Sequence, residues 1–317
     1  MTMHVACAAD EAYVGHCATM LHSLLTRHAS DGVVVHFLHA PTFDADDRAR
    51  LAAHIERNGG TVELHAIDDA HLAGLPAING IPPIMWNRVF LPELLPDVDR
   101  VLYLDADTLI VDDLRPLWRE PLADTYVAAV TNVLEAAHAH HARELGLPPD
   151  QPYFNSGVLL FNLDEMRAGD CTARITRYAR GERLRWPDQD ALNAILGTRC
   201  RSLHPRWNCM NSLFLLPEAT DVFGATVVRE ARAHPAIVHF EGPVLAKPWH
   251  YLSKHPFRRA YLEHRAATPW PDAPMTGRTL GNRLLRPLPP RVTLGVLRGV
   301  AIARRRVLTT VGSGAGQ

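Results

Sequence analysis

Residues 100–107 read Arg100-Val101-Leu102-Tyr103-Leu104-Asp105-Ala106-Asp107. An apolar run of strand length delivers two carboxylates with one residue between them. On an extended backbone, residues i and i+2 point to the same side. Two carboxylates so placed repel each other unless a cation sits between them. Oxygen ligands favour a hard divalent ion, Mn²⁺ or Mg²⁺, of the kind that serves phosphate oxygens. The next acids, Asp112 and Asp113, read as turn or cap residues before Leu114.

Outward from this strand, short apolar runs alternate with longer amphipathic segments. Strands are expected at Val5–Ala9, Val33–Leu38 and Val62–Ile67, with helices at Cys17–Arg27 and Asp46–Arg57. Ile84–Leu95 is expected to be helical, with Pro92 as an interruption. Further strands are expected at Tyr126–Val130, Val158–Asn162 and Ile237–Phe240, and helices at Cys171–Arg180 and Gln189–Leu196. This alternation predicts an α/β fold with a mainly parallel central sheet. In such sheets ligands bind beyond the carboxyl ends of strands. Asp10 and Asp105 stand at two of those ends.

The chain has 317 residues, 33 Lys+Arg and 34 Asp+Glu. That near-neutral total hides an uneven placement. No acid follows Asp272, yet eight arginines do, leaving a body of 25 basic and 34 acidic residues. Residues 1–267 are expected to form the main domain, and 268–317 a Pro-rich linker with an Arg-rich helical tail. Leu294, Val296, Leu297 and Val300 among those arginines suit an anionic membrane surface. The tail has no aromatic residue for base stacking, so nucleic acid is not an expected partner. Lys247 and Lys254 are the only lysines. Five scattered cysteines without a CxxC argue against structural zinc and fit reduced thiols in a cytoplasmic protein. The first ten residues lack the basic start of a signal peptide, and no run approaches the ~18 apolar residues of a spanning helix. No GxGxxG or GxxxxGKS occurs, which weakens a dinucleotide or P-loop reading.

Three further segments carry polar chemistry. His239 ends an apolar run, followed by Glu241-Gly242-Pro243 and then Lys247-Pro248-Trp249. A histidine completing a two-carboxylate site suits Mn²⁺ better than Mg²⁺. Asp188-Gln189-Asp190 opens a helical segment, where one acid is expected to cap and others to face a cleft. Asn155-Ser156-Gly157 precedes a buried run, where backbone and amide can approach a ligand closely.

Taken together, these segments resemble the glycosyltransferase family 8 enzymes, whose bacterial members include lipopolysaccharide galactosyl- and glucosyltransferases. The carrying pieces are Ala8-Ala9-Asp10, VLYLDADTLIVDDLRPLW (101–118), YFNSGVLLFNL (153–163), PDQDALN (187–193) and HFEGPVLAKPWH (239–250), in family order. The resemblance implies a GT-A fold, a divalent metal and a retaining hexosyltransferase. It would move galactose or glucose from UDP-galactose or UDP-glucose to a glycan or glycolipid acceptor. It implies Asp105, Asp107 and His239 as Mn²⁺ ligands, with Mg²⁺ as the substitute. It implies Ala8, Ala9 and Asp10 as the nucleotide pocket, and Ala106 near the ribose. Arg88, Gly242 and Lys247 are implied at the diphosphate, and Asn155, Asp188 and Gln189 at the donor sugar. Gln189 lies nearest the anomeric centre, with Asp188 as the competing nucleophile. Two departures stand out. Gly242 and Lys247 are two residues further apart than the family spacing, and Asn132 stands where many relatives have Asp. The basic tail implies peripheral attachment to the inner face of the cell membrane. A sugar-nucleotide nucleotidyltransferase is the alternative enzyme reading, but Ala8–Gly15 lacks its Gly-rich signature. A non-catalytic sugar-nucleotide-binding protein is the alternative of a different class.

Overall fold

A computed structural model describes residues 2–77, 83–242, 244–272 and 275–288. Its centre is a seven-stranded sheet of order β3-β2-β1-β4-β7-β6-β8. The strands are β1 (Met3–Ala8), β2 (Val33–His39), β3 (Thr61–Ala66), β4 (Arg100–Leu104), β6 (Val127–Thr131), β7 (Phe154–Asn162) and β8 (Cys200–Ser202). Parallel pairing joins β3, β2, β1 and β4, whereas β7 runs antiparallel to both β4 and β6. The reversal matters for the site. It brings the amino-terminal end of β7, with Asn155 and Ser156, to the same edge as the carboxyl end of β4.

Each face of the sheet carries its own apolar layer. Met3, Val5 and Cys7 of β1 pack with Val33, Val35 and Phe37 of β2 beneath helices α1 (Val14–His28) and α2 (Ala45–Arg57). Alternate residues, Ala6, Ala8 and Leu38, join Trp86, Phe90, Tyr103, Phe161 and Ile175 on the opposite face. The period-2 burial is what an α/β sheet covered on both sides requires. Asp44 caps α2 by accepting from the Asp47 amide at 2.8 Å, which satisfies one of the orphan N–H groups of its first turn.

A second, three-stranded sheet has the order β5-β10-β9. Its strands are β5 (Thr108–Ile110), β9 (Cys209–Met210) and β10 (Ile237–His239). Sequence periodicity does not show β5 or β9, because strands of three and two residues are too short to display a period. The segment expected as a helix at Ile84–Leu95 is instead a 3-10 helix over Pro83–Phe90 and a single α-turn over Leu91–Leu94. Pro92 has no N–H to give to the carbonyl four residues back, so an α-helix cannot run through it.

The described part of the 268–290 stretch, expected as a linker, lies against the domain. Trp270 packs on the α1/α2 layer and takes the Arg50 guanidinium 4.6 Å over its ring, and Thr276 bridges to His250. Residues from 289 onward, which include most of the expected basic tail, lie outside the described residues. Among the described residues no helix is long and apolar enough to cross a membrane.

Candidate active site

The turn from β4 into β5 sets the first half of the site. The Asp105 carbonyl accepts from the Thr108 amide at 3.1 Å and from its hydroxyl at 2.8 Å. This tight turn holds Asp105 and Asp107 on one side. The second half comes from 130 residues away. β10 runs antiparallel to β5 with His239 opposite Thr108, and the Phe240 amide donates to the Asp107 carbonyl at 2.9 Å. His239 Nε2 thus lies 3.3 Å from Asp107 Oδ1 and 3.9 Å from Asp105 Oδ2.

The outer oxygens of both carboxylates are taken by cations. Arg88 Nη2 donates to Asp105 Oδ1 at 2.9 Å, and Lys247 Nζ donates to Asp107 Oδ2. Asp105 Oδ2, Asp107 Oδ1 and His239 Nε2 therefore converge with lone pairs toward one another, and they form a donor set able to hold a metal ion. Two hard oxygens and one imidazole suit a divalent ion that accepts mixed O/N ligation. The floor of this cradle is Gly157. A Cβ there would lie 2.2 Å from His239 Cε1 and 2.7 Å from Asp105 Oδ2, so only glycine leaves room for the donors. Asn208 supplies the orientation. Its Oδ1 is 2.9 Å from His239 Nδ1, and its Nδ2 donates to Asn155 Oδ1 at 2.8 Å. An acceptor at Nδ1 places the ring proton there and leaves Nε2 free to ligate.

The electrostatics follow from burial and partners. Burial pushes the Asp107 carboxyl up, but Lys247 and His239 outweigh it and hold the group far below its usual range. Burial alone would lower Lys247 and His239. Asp107 reverses both, so both are raised. Arg88 is buried beneath the cleft, 4.4 Å over the Tyr103 ring, and also donates to Met85 and Ser156 carbonyls. Asp188 is raised chiefly by burial, opposed by Arg88 at 3.6 Å.

On the β7 side of the cluster the helix Pro187–Leu196 presents its first turn. Gln189 is held at both ends. Its Oε1 accepts from the Ser156 backbone amide at 3.0 Å and from Asn155 Nδ2 at 3.3 Å, and its Nε2 donates to Tyr153 Oη at 3.1 Å. Asp188 Oδ2 accepts from Ser156 Oγ at 3.3 Å. Of the three acids and amides here, Asp190 is the fully buried one. Rather than capping the helix itself, it accepts from the Arg185 and Trp186 amides, from Tyr153 Oη at 2.5 Å and from His141 Nε2 at 2.7 Å. It ties the loop at Arg185 and Trp186 to the helical turn that carries Asp188 and Gln189.

A cleft of about 660 Å³ opens onto this surface. Asp105, Asp107, His239, Asn132, Asn155, Ser156, Asp188, Gln189 and Gly242 all line it. Its far wall is mixed polar and apolar, with Trp186, Arg185, Leu215 and Leu216. Gly242 turns the chain after β10 with φ +79°, a left-handed conformation that favours glycine. Ala8, Ala9 and Asp10 lie at the end of β1, across β4 from Asn155. Asp10 accepts from the Tyr13 amide at 2.9 Å at the start of α1. Ala106 is buried between the two carboxylates. Lys247 reaches Asp107 despite the longer spacing from Gly242, because a 3-10 turn at 244–246 takes up the extra residues. Trp249, two residues on, stacks on His16 of α1 at 3.7 Å between ring centroids and so pins this segment to the β1 side.

Sequence reasoning singled out every donor of the cluster but missed Asn208, Tyr153 as a second-layer support, and the steric need for Gly157. Gly157 lies within Asn155-Ser156-Gly157, where it reads locally as a turn residue. Asn208 offered only a polar residue between Trp207 and Cys209, a weak signal.

Comparisons with known proteins bear on the chain as a whole. Residues 4–253 match the model of "Glycosyl transferase family 8". General stress protein A of Bacillus subtilis is 30% identical over 287 residues, covering 88% of this chain and 96% of that protein. The lipopolysaccharide 1,3-galactosyltransferase of Salmonella typhimurium is 25% identical, covering 84% of this chain and 79% of that protein. Among solved structures, the galactosyltransferase LgtC in complex with donor and acceptor sugar analogues superposes with a TM-score of 0.71 at 26% identity, over 84% of this chain and 96% of LgtC. With the mixed sheet, the strand-end carboxylates and a family model spanning most of its length in agreement, the chain belongs to glycosyl transferase family 8.

Proposed function

We propose that this glycosyltransferase moves galactose or glucose, with retention, from UDP-galactose or UDP-glucose to a glycan or glycolipid acceptor. The observation that carries the reading is the convergence of Asp105 Oδ2, Asp107 Oδ1 and His239 Nε2 at the head of a 660 Å³ cleft, with Arg88 and Lys247 behind the carboxylates. Mn²⁺ is the proposed ion and Mg²⁺ the substitute. Bound by those donors, it would supply positive charge to a diphosphate leaving group.

The chain's own residues account for the rest. Lys247 lies beside the donor set and can turn from Asp107 to a phosphate, a point charge on a flexible stem. Such stabilisation of developing charge is usually the largest catalytic contribution. The end of β1, with Ala8, Ala9 and Asp10, supports nucleotide binding, and Ala106 lies on the path to the ribose. Asn132, Asn155 and Asp188 face the sugar side. Gln189 is a neutral amide already held by Ser156 and Tyr153, a poor nucleophile. This favours front-face transfer. The bond from the anomeric carbon to the phosphate oxygen breaks, the acceptor oxygen bonds to that carbon, and the acceptor proton goes to the departing phosphate. Trapping a glycosyl adduct on Asp188 would overturn it.

The described start of the tail supports a lipid surface contact. Leu280 and Leu284, each 78% exposed, share one face of the short helix Leu280–Leu285 beside Arg283 and Arg286. We place the enzyme in the cytoplasm, peripheral on the inner face of the cell membrane. The deciding experiment for the activity is UDP release from UDP-galactose and UDP-glucose with Mn²⁺, followed by a glycan acceptor panel with the better donor. Release that is lost in Asp107→Ala supports the proposal. No release with any UDP-sugar would sink it and favour a binding protein.

A further inference from the structure

Away from the catalytic cluster, three adjacent strands line up imidazoles on one face of the sheet. His4 of β1, His36 of β2 and His65 of β3 form a row, with Glu63 of β3 beside it. Register explains the alignment. His36 pairs with Glu63 across the parallel β2/β3 ladder, and His65 follows two residues on, so both β3 side chains point to the side of His36. The site lies on the strands themselves, on the face opposite α1 and α2, and β3 is the edge strand of the sheet.

The distances are those of a coordination shell. His36 Nδ1 is 3.2 Å from Glu63 Oε2 and 3.2 Å from His65 Nε2, and the last pair, His65 Nε2 and Glu63 Oε2, is 3.8 Å apart. Tetrahedral Zn²⁺ with bonds of about 2.0–2.1 Å sets its ligand atoms about 3.3–3.4 Å apart. Two of the three edges match within about 0.2 Å, and the third closes with a small rotation of the half-exposed Glu63. The remaining nitrogen of His36, Nε2, is 2.9 Å from His4 Nδ1. His4 can accept the Nε2 proton and so fix Nδ1 as the ligating atom, the outer-layer support that metal-bound histidines almost always have.

We propose that His36 Nδ1, His65 Nε2 and Glu63 Oε2 form a second metal site, selective for Zn²⁺, with His4 as its positioning residue and a fourth position open to water. Two imidazoles and one carboxylate are a common zinc set, softer than the oxygen-rich catalytic cluster. Bound there, the ion ties edge strand β3 to β2.

The test uses the full chain carrying Asp107→Asn, which weakens the catalytic donor set, stripped of metal by a chelator. Zn²⁺ is then titrated in competition with a chromophoric chelator, and Co²⁺ absorption is recorded separately. One tightly bound Zn²⁺ that stabilises the fold against heat is the expected result. Adding His65→Ala or Glu63→Gln weakens that ion by about 100-fold or more, and His4→Ala weakens it by about 10- to 100-fold. Bound Co²⁺ gives the intense visible bands of a four-coordinate ion. Unchanged Zn²⁺ affinity in both His65→Ala and Glu63→Gln would overturn the assignment. A weak six-coordinate Co²⁺ spectrum would overturn it too, and that measurement does not depend on the His65 variant folding.

Discussion

Two clusters in this molecule bring carboxylates and imidazoles within ligating distance, and they are built in opposite ways. Asp105, Asp107 and His239 meet where the ends of β4 and β10 come together, from segments more than 130 residues apart. His36, Glu63 and His65 meet within neighbouring rungs of one ladder. At the strand ends, turns can bring in further charges, and Arg88 and Lys247 neutralise the outer carboxylate oxygens. Within the ladder the space is limited to side chains already in register, so the partners are other imidazoles. The first arrangement is suited to a substrate with its own negative charge. The second is suited to a resident ion that only tightens the sheet.

The largest effect expected from breaking this contrast is at Asp107. Asp107→Ala removes one donor and leaves Lys247 without its carboxylate, and donor-dependent turnover should fall by about 100-fold or more. Zn²⁺ binding at the ladder should persist, which kinetics and metal titration on the same preparation would check. Next in size is Asn208→Ala, which frees the His239 ring. Loss of an outer-layer partner should weaken Mn²⁺ by about 10- to 100-fold, read as a rise in the Mn²⁺ concentration needed for half-maximal activity. A near-unchanged Mn²⁺ requirement would show that Asn208 only fills space. Gly157→Ala inserts a methyl group into the cradle, where His239 and Asp105 are backed by other residues. Such overpacking typically costs about 1–3 kcal/mol, so thermal melting should shift down while activity falls with it.

A separate effect, spread over many residues rather than one, is on pH, and it distinguishes the histidine-rich regions from the catalytic one. Burial holds His36 and His16 at a pKa of about 3, and His54, His255 and His264 at about 4, against 6.5 for the free side chain. Lowered folded values mean that the unfolded chain binds more protons below 6.5. Stability is therefore complete above 6.5 and falls as pH drops from 6.5 toward 3 to 4, by up to about 1.4 kcal/mol per pH unit for each proton taken up. Melting temperature measured from pH 7.5 to 4.5 should decline steadily in metal-free protein. Zn²⁺ should raise the melting temperature most at pH 7.5 and steepen that decline, because the ion holds His36 and His65 deprotonated in the folded chain while the unfolded chain still takes up protons.

Much of this was legible along the chain. Val101–Leu104 is apolar without interruption because β4 is buried on both faces, and a run of that length fits a central strand. The Asp105-Ala106-Asp107 pair, His239 and the Asp188-Gln189 step were equally visible, because ligating chemistry requires particular residue types whatever their surroundings. Other features depended on contacts that no local pattern encodes. β7 reverses direction, which puts Asn155 and Ser156 at the site, and only pairing with β4 and β6 decides that. Gly157 reads locally as a turn residue, yet its constraint comes from a histidine 82 residues later. Lys247 overcame an unusual spacing because a 3-10 turn shortens the path to Asp107. The histidines at positions 4, 36 and 65 looked like isolated members of a set of 18. They become a row only because parallel strands place residues about 30 positions apart on adjacent rungs. Sequence by itself determined which atoms can bind charge and roughly where the longer strands lie, but not the short strands β5, β8 and β9. Tertiary structure decided which of those atoms meet, since strand order and register are set by long-range packing rather than by any short stretch.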